Sequence, residues 1–165
     1  MTSYKEIITK AVIGKGKKNT KENREVVINN IDNVLGCWII NHRFNGVTNN
    51  NQIKVVGSYD VNLWYSLDNN SKTNVIIKSF NYSDNMNITL KNNASISNDS
   101  EILVRCLSQP NVIDAKVEDG KVLLEIEKQM GIEVIGNTMV KVSVEDDLND
   151  YEEILDDDIN EDYLS

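Results

Sequence analysis

The sequence predicts a mainly β protein: a single antiparallel domain resembling a β-sandwich or barrel, with a short N-terminal helix or strand arm and a disordered acidic C-terminal tail. Three observations lead to this prediction. Apolar and polar residues alternate through much of residues 35–144, an Asp-Gly pair separates two of the alternating runs, and the last 21 residues contain eleven acids and no base. A chain of 165 residues is long enough for one domain with a working core.

The clearest alternation lies between Ile53 and Tyr65. Side chains at every second position of a strand share a face, so this run predicts a half-buried strand. Gly57 interrupts the apolar face and predicts a bulge or bend. The predicted apolar face consists of Ile53, Val55, Gly57, Tyr59, Val61, Leu63 and Tyr65.

A hairpin is predicted where Val112–Glu118 and Lys121–Glu127 flank Asp119-Gly120. Asp-Gly suits a two-residue turn because both positions need φ > 0. Another alternating strand covers Thr138–Val144. With shorter candidates included, we expect eight or nine strands in all. The shorter candidates are Gly36–His42, Asn74–Tyr82, Met86–Leu90 and Glu101–Leu107.

Residues 1–34 are predicted to form a basic arm and a polar linker before the β domain of residues 35–144. Five apolar residues near the start have the spacing of one helical face, although a strand is equally open. Gly14 and Gly16 would end a helix, and residues 19–33 read as a mobile connection. Because so short an apolar face has little of its own chain to cover it, we expect it to mediate self-association. The residues concerned are Tyr4, Ile7, Ile8, Ala11 and Val12.

The charge of −9 is distributed unevenly. Eleven of the 26 acids lie in residues 145–165, which leaves 15 acids against 17 bases elsewhere. Residues 1–24 hold seven bases and two acids. A near-neutral domain with oppositely charged ends suggests self-association or two distinct partner surfaces.

Several classes of protein are not expected. No stretch reaches the 18 or more apolar residues of a membrane span, so we expect no membrane insertion. The basic N-terminus lacks the apolar core of a secretory signal, so we expect a cytoplasmic chain. Nucleic acid is not an expected partner, because the basic arm lacks interleaved aromatic residues and the acidic tail would oppose binding.

No catalytic, cofactor or metal site is predicted. His42 is the only histidine and is expected to be structural, while Cys37 and Cys106 have no zinc-site spacing and are expected to be buried as small apolar groups. Trp38 and Trp64, with Tyr59 and Tyr65, could line a sugar site, although aromatic residues in strands more often belong to a core. We therefore predict a non-enzyme, with a lectin-like carbohydrate-binding module as the alternative function.

The acidic tail, residues 145–165, contains apolar residues that a solubilising tail would not need. We expect it to be dispensable for folding and to recruit partners by docking into a basic-rimmed apolar groove. The residues proposed for recruitment are Leu148, Tyr151, Leu155 and Ile159, together with Asp156, Asp157 and Asp158.

Three stretches resemble the spore coat protein E family, the outer-coat morphogenetic proteins of endospore-forming bacteria. They are Tyr4–Val12 with Gly16-Lys17-Lys18, then Leu35–Arg43 (LGCWIINHR), then Gly57–Ser66 (GSYDVNLWYS) with Ser71-Lys72-Thr73. Cys37 and Arg43 depart from the residues expected there, which are Gly and Lys.

The resemblance implies a structural scaffold. Such proteins are made in the mother-cell cytoplasm, gather at the forespore surface, self-assemble into homo-oligomers, recruit other spore coat proteins and remain in the spore coat.

Overall fold

The computed structural model describes residues 2–50, 52–91, 94, 96–97 and 100–145. These residues form seven strands and no helix: β1 (Thr2–Val27), β2 (Ile31–Asn49), β3 (Gln52–Leu67), β4 (Lys72–Met86), β5 (Thr89–Leu90), β6 (Glu101–Glu118) and β7 (Lys121–Glu145). The predicted mainly β, antiparallel fold is confirmed. None of the described residues belongs to a helix that is long and apolar enough to cross a membrane.

The strands form two antiparallel sheets. One has the order β5-β1-β7-β6 and the other the order β2-β3-β4. The described residues fall into two units: the first comprises residues 2–11 and 137–145, and the second lies within Val12–Gly136.

The core of the second unit lies between the inner faces of the two sheets. The alternation predicted for β3 is confirmed, since Ile53, Val55, Tyr59, Val61, Leu63 and Tyr65 are all buried. The inner face of β7 follows the same period, and its buried apolar residues are Val122, Leu124, Ile126, Met130, Ile132 and Val134.

The predicted hairpin is also confirmed. Asp119 and Gly120 join β6 to β7 with φ of 49° and 73°, the left-handed values that the turn requires. The amide of Ile28 donates to Gly120 O at 3.0 Å, which ties the turn to the chain after β1.

The strands are fewer and longer than predicted. The candidates around Glu101–Leu107 and Val112–Glu118 are one strand, β6, and the two candidates around Lys121–Glu127 and Thr138–Val144 are one strand, β7. Pro110 lacks an amide hydrogen but fits inside β6 because β6 is an edge strand and the register shifts between Ser108 and Asn111.

The N-terminal stretch is strand throughout. Of the two alternatives left open for residues 4–13, strand is correct, and residues 19–27 continue β1 instead of forming a connection. The β-branched residues of this segment favour extended backbone. One consequence is that Tyr4, Ile8 and Val12 lie on one face of β1 whereas Ile7 and Ala11 lie on the other.

Gly57 is not at a bulge. It pairs in register with Phe44 on one side and Tyr82 on the other. A Cβ atom there would overlap Tyr82 Oη and Arg43 O, so this position needs glycine for the close approach of a side chain.

Candidate functional site

A cluster of charged and polar side chains lies in the core of the second unit. It is centred on Lys128, which takes an inward position of β7 between Ile126 and Met130 and is only 1% exposed. Lys128 Nζ donates to Thr20 Oγ1 at 2.9 Å, pairs with Asp84 Oδ2 at 3.1 Å and contacts Glu22 Oε1. It also lies 3.9 Å from the centre of the Tyr82 ring. The ammonium thus has both anionic and aromatic partners inside the protein.

Glu22 connects this lysine to a second cation. Glu22 Oε2 accepts hydrogen bonds from Tyr59 Oη at 2.7 Å and from Arg24 Nη2 at 3.1 Å. Arg24 also donates to Asn81 O at 2.7 Å, and its guanidinium lies 5.2 Å from the centre of the Phe80 ring. Two cations therefore face two carboxylates, those of Glu22 and Asp84, and the formal charge of the cluster balances.

The surroundings of Glu22 keep its carboxylate ionised. Burial would raise the pKa of Glu22, but the hydrogen bonds from Lys128 and Tyr59 and the charges of Lys128 and Arg24 outweigh it and hold the pKa below its usual value. Burial raises the pKa of Tyr59 to about 12, and its hydrogen bond to Glu22 acts in the same direction. Tyr59 consequently stays a proton donor at neutral pH.

The cluster continues to His42 on β2. Tyr82 Oη lies 2.6 Å from His42 Nε2, and Gln109 Oε1 lies 3.0 Å from His42 Nδ1. With Gln109 as an acceptor, Nδ1 carries the proton and Nε2 accepts from Tyr82. Burial lowers the pKa of His42, and the charge of Lys128 acts in the same direction. Both ring nitrogens of His42 therefore have hydrogen-bond partners, as expected for this residue.

A bulge in β2 turns His42 inward. The register passes from Ile40 opposite Asp60 to Arg43 opposite Ser58, so two residues of β2 face the single residue Tyr59. Asn41 takes the left-handed conformation at φ 57°, and its Nδ2 donates to Asp60 Oδ2 at 3.0 Å. The extra residue changes the alternation, which places His42 on the same side as Ile39.

The two cysteines have no disulfide and lie half-buried. Burial raises the pKa of Cys37 to about 11 and also raises the pKa of Cys106, whose Sγ lies 3.8 Å from His42 Nδ1. Both groups therefore remain thiols at neutral pH and lack the reactivity of thiolates. Among the described residues, no group of three or more His, Cys, Asp and Glu side chains could hold a metal ion.

Apolar side chains are exposed on the outer face of the three-stranded sheet. Trp38 and Trp64 are 46% and 43% exposed and both pack against Gly36, while Val75 and Ile77 extend the surface across β4. The Nδ2 atom of Asn62, which lies between Trp38 and Ile77 in the register, is buried without a hydrogen-bond partner. Of the four aromatic residues considered for a sugar site, only the tryptophans are exposed, because Tyr59 and Tyr65 belong to the core.

A family model for outer spore coat protein E (CotE) matches residues 3–165, nearly the whole chain. The chain belongs to the CotE family. The resemblance carried by the three sequence stretches is thus confirmed, and CotE membership makes this a spore coat protein of the outer coat, within a structural family. No curated protein and no solved structure has significant similarity to the chain.

Three of the five residues predicted for self-association are exposed, and the other two are half-buried. Tyr4 and Ile8 are each 70% exposed and Ile7 is 46% exposed, whereas Ala11 and Val12 are half-buried. The residues predicted for partner recruitment, Leu148, Tyr151, Leu155, Ile159 and Asp156–Asp158, lie outside the described residues.

Sequence reasoning missed the polar cluster, although a signal was present. Lys128 lies an even number of positions from Val122, Leu124 and Ile126, so a continuing strand places its side chain on the same inward face. A buried ammonium needs an acidic partner, and this requirement would have drawn attention to Glu22.

Replacing Lys128 with Met, which is of similar length, should lower the free energy of unfolding at pH 7 by about 3–5 kcal/mol. The carboxylate of Asp84 would lose its cation, and Glu22 would keep only Arg24 and Tyr59 as partners. Urea denaturation measures this. Lys121→Met is the matched control, since the Lys121 ion pair with Glu25 is exposed and should contribute less than about 1 kcal/mol. Equal losses in both variants would contradict a compensating role for Lys128.

The free energy of unfolding should fall as the pH drops below about 6.5. Because the pKa of His42 is lowered in the folded state, the unfolded chain binds more protons between the two pKa values, and stability is complete only above the unfolded pKa. Denaturation at pH 7.5 and 5.5 should show a smaller loss in His42→Gln than in the parent. Glu22→Gln should reduce the pH dependence of the free energy of unfolding only below about pH 4.5, because the stability contributed by the lowered pKa of Glu22 is lost in that range. Parallel curves for the parent and His42→Gln between pH 7.5 and 5.5 would count against this assignment.

Proposed function

We propose that this CotE-family protein is a morphogenetic scaffold of the outer spore coat. It assembles with further copies of itself around the forespore, from the mother-cell cytoplasm, and recruits other coat proteins. Family membership supports the coat role. The exposed apolar residues of the first unit carry the proposal of self-assembly.

The first unit exposes apolar side chains on both of its strand segments. Tyr4, Ile7 and Ile8 are exposed in β1, and Met139, Val140 and Val142 are exposed in β7. Adjacent side chains of a strand point to opposite faces, so Ile7 and Ile8 present apolar groups on both sides of β1. Covering them against another copy would remove apolar area from water, which is the main favourable contribution to association.

Recruitment is assigned to residues 145–165. Their apolar residues recur at spacings that would place them along one side of a helix formed on binding, while the acids would attract a basic partner surface. Such a segment pays an ordering cost when it binds, so its contacts suit reversible assembly.

A carbohydrate-binding module remains the second candidate, favoured by the exposed pair Trp38 and Trp64 above the unpaired amide of Asn62. Stacking of a sugar on an indole changes tryptophan fluorescence. Titration with cortex and exosporium sugars separates the two functions, because a scaffold surface should give no saturable change.

Tyr4→Thr/Ile8→Thr should lower the mass measured by light scattering, because it removes exposed apolar area while threonine keeps strand propensity. The β signal in circular dichroism should stay unchanged. Val47→Thr/Val117→Thr, which removes exposed apolar groups from β2 and β6, should leave the mass as in the parent. An unchanged mass in Tyr4→Thr/Ile8→Thr would refute self-assembly through this surface.

Tyr151→Ala/Leu155→Ala should reduce capture of coat proteins from sporulating cells at both low and high salt, because apolar anchors are not screened. Asp156→Asn/Asp157→Asn/Asp158→Asn should reduce capture mainly at low salt, since the Debye length is about 8 Å at 0.15 M. Capture equal to the parent by both variants would make the tail a solubiliser. Loss in the charge variant alone would indicate a nonspecific polyanion.

A further inference from the structure

A concavity of about 410 Å³ crosses the four-stranded sheet in the second unit. Its volume lies within the range of about 300–1,000 Å³ that is typical of ligand pockets. We call it the basic groove and define it by six of its lining residues: Lys15, Lys17, Arg105, Leu107, Gly131 and Glu133.

The floor of the basic groove is apolar. Gly131 on β7 has no side chain, and Leu107 on β6 lies over it, since a Cβ atom at Gly131 would be 3.0 Å from Leu107 Cδ1. Leu107 is nevertheless 50% exposed. The floor therefore offers an apolar contact that an incoming side chain could cover.

The rim of the basic groove is cationic. Lys15 and Lys17 stand on β1 and Arg105 on β6, whereas Glu133 is the one acid among the lining residues. Arg105 Nη2 lies 3.6 Å from Glu133 Oε2 and its side chain is 61% exposed, so the guanidinium has further N–H groups for a second carboxylate. Three cations against one carboxylate favour an anionic ligand.

We propose that the basic groove binds residues 145–165 of a second copy of this chain, an inference that rests on the proposed self-assembly. That segment carries eleven acids and no base, which complements the rim, and its apolar residues complement the floor. The tail thus supplies both acidic and apolar side chains, whereas a polynucleotide would offer phosphates to the rim but no apolar side chain to cover Leu107.

The contact has a consequence for assembly. A tail bound in a groove is a head-to-tail contact between unlike surfaces, and each copy carries one of each. Such contacts form rings if the rotation closes and open arrays if it does not. Recruitment and assembly would then use the same tail, and a coat protein with a similar basic groove would compete with the second copy.

The test uses a fluorescein-labelled peptide of residues 145–165 as the probe and the full-length chain carrying Tyr151→Ser/Leu155→Ser as the receptor, so that its own tail competes weakly. Fluorescence anisotropy should show saturable binding. Lys15→Glu/Lys17→Glu should weaken it at least about tenfold, and Leu107→Ser should weaken it as well. Lys72→Glu/Lys78→Glu, an equal charge reversal on β4, should change the dissociation constant less than about twofold.

A peptide of the same composition with its apolar positions scrambled should bind more weakly than the native tail. Equal binding of the scrambled peptide, or unaltered binding by the groove variants, overturns the proposal. Circular dichroism confirms that each receptor is folded, and Lys15→Met/Lys17→Met gives a milder replacement in which weakening is also expected.

Mixing provides an independent readout. In the Tyr4→Thr/Ile8→Thr background, which removes the other proposed contact, a chain with Lys15→Glu/Lys17→Glu and a chain with Tyr151→Ser/Leu155→Ser should form a mixed complex that neither forms alone. One chain supplies the tail and the other supplies the groove. If the peptide fails to bind while Tyr4→Thr/Ile8→Thr still lowers the mass, the groove proposal fails and self-assembly stands. If the parent chain is monomeric at all concentrations, self-assembly itself fails.

Discussion

The ammonium of Lys128 in the space between the two sheets is the constraint on which much of the structure depends. An uncompensated charge at this depth would cost several kcal/mol, so neighbouring strands must supply partners. β1 supplies Glu22 and Thr20, and β4 supplies Asp84 together with the ring of Tyr82. The inward polar residues in the second half of β1, a segment whose sequence suggested a mobile linker, are explained by this requirement.

The same cluster determines local backbone features. Tyr82 reaches His42 because Gly57 leaves room for its hydroxyl, and His42 points inward because Asn41 forms a bulge opposite Tyr59. A glycine on β3 and an adjacent asparagine and histidine on β2 thus serve one series of contacts. The ring of Tyr82 lies against the buried ammonium of Lys128, the Tyr82 hydroxyl hydrogen-bonds to His42, and His42 hydrogen-bonds to Gln109 on the edge strand β6.

Polarity is distributed in an unusual way for a β protein: charges are buried between the sheets, and large apolar side chains are exposed outside. Trp38, Trp64, Tyr4 and Ile8 all retain substantial exposure, while Lys128 and Tyr59 have almost none. Paired charges inside favour one particular arrangement of strands, and apolar groups outside offer surfaces to other molecules. Both properties suit a member of a structural coat family, whose surfaces contact other proteins.

The sequence by itself determined the family, the antiparallel β class, the inner face of β3 and the Asp119-Gly120 turn. These depend on local alternation, on a dipeptide with φ > 0 and on specific sequence strings. Only the tertiary structure decided that residues 4–13 are strand, that Glu22 faces Lys128, and that Lys15 and Arg105 border one groove. Each of these depends on partners far apart in sequence, brought together by strand order and register, and neither strand order nor register can be obtained from the period of one segment.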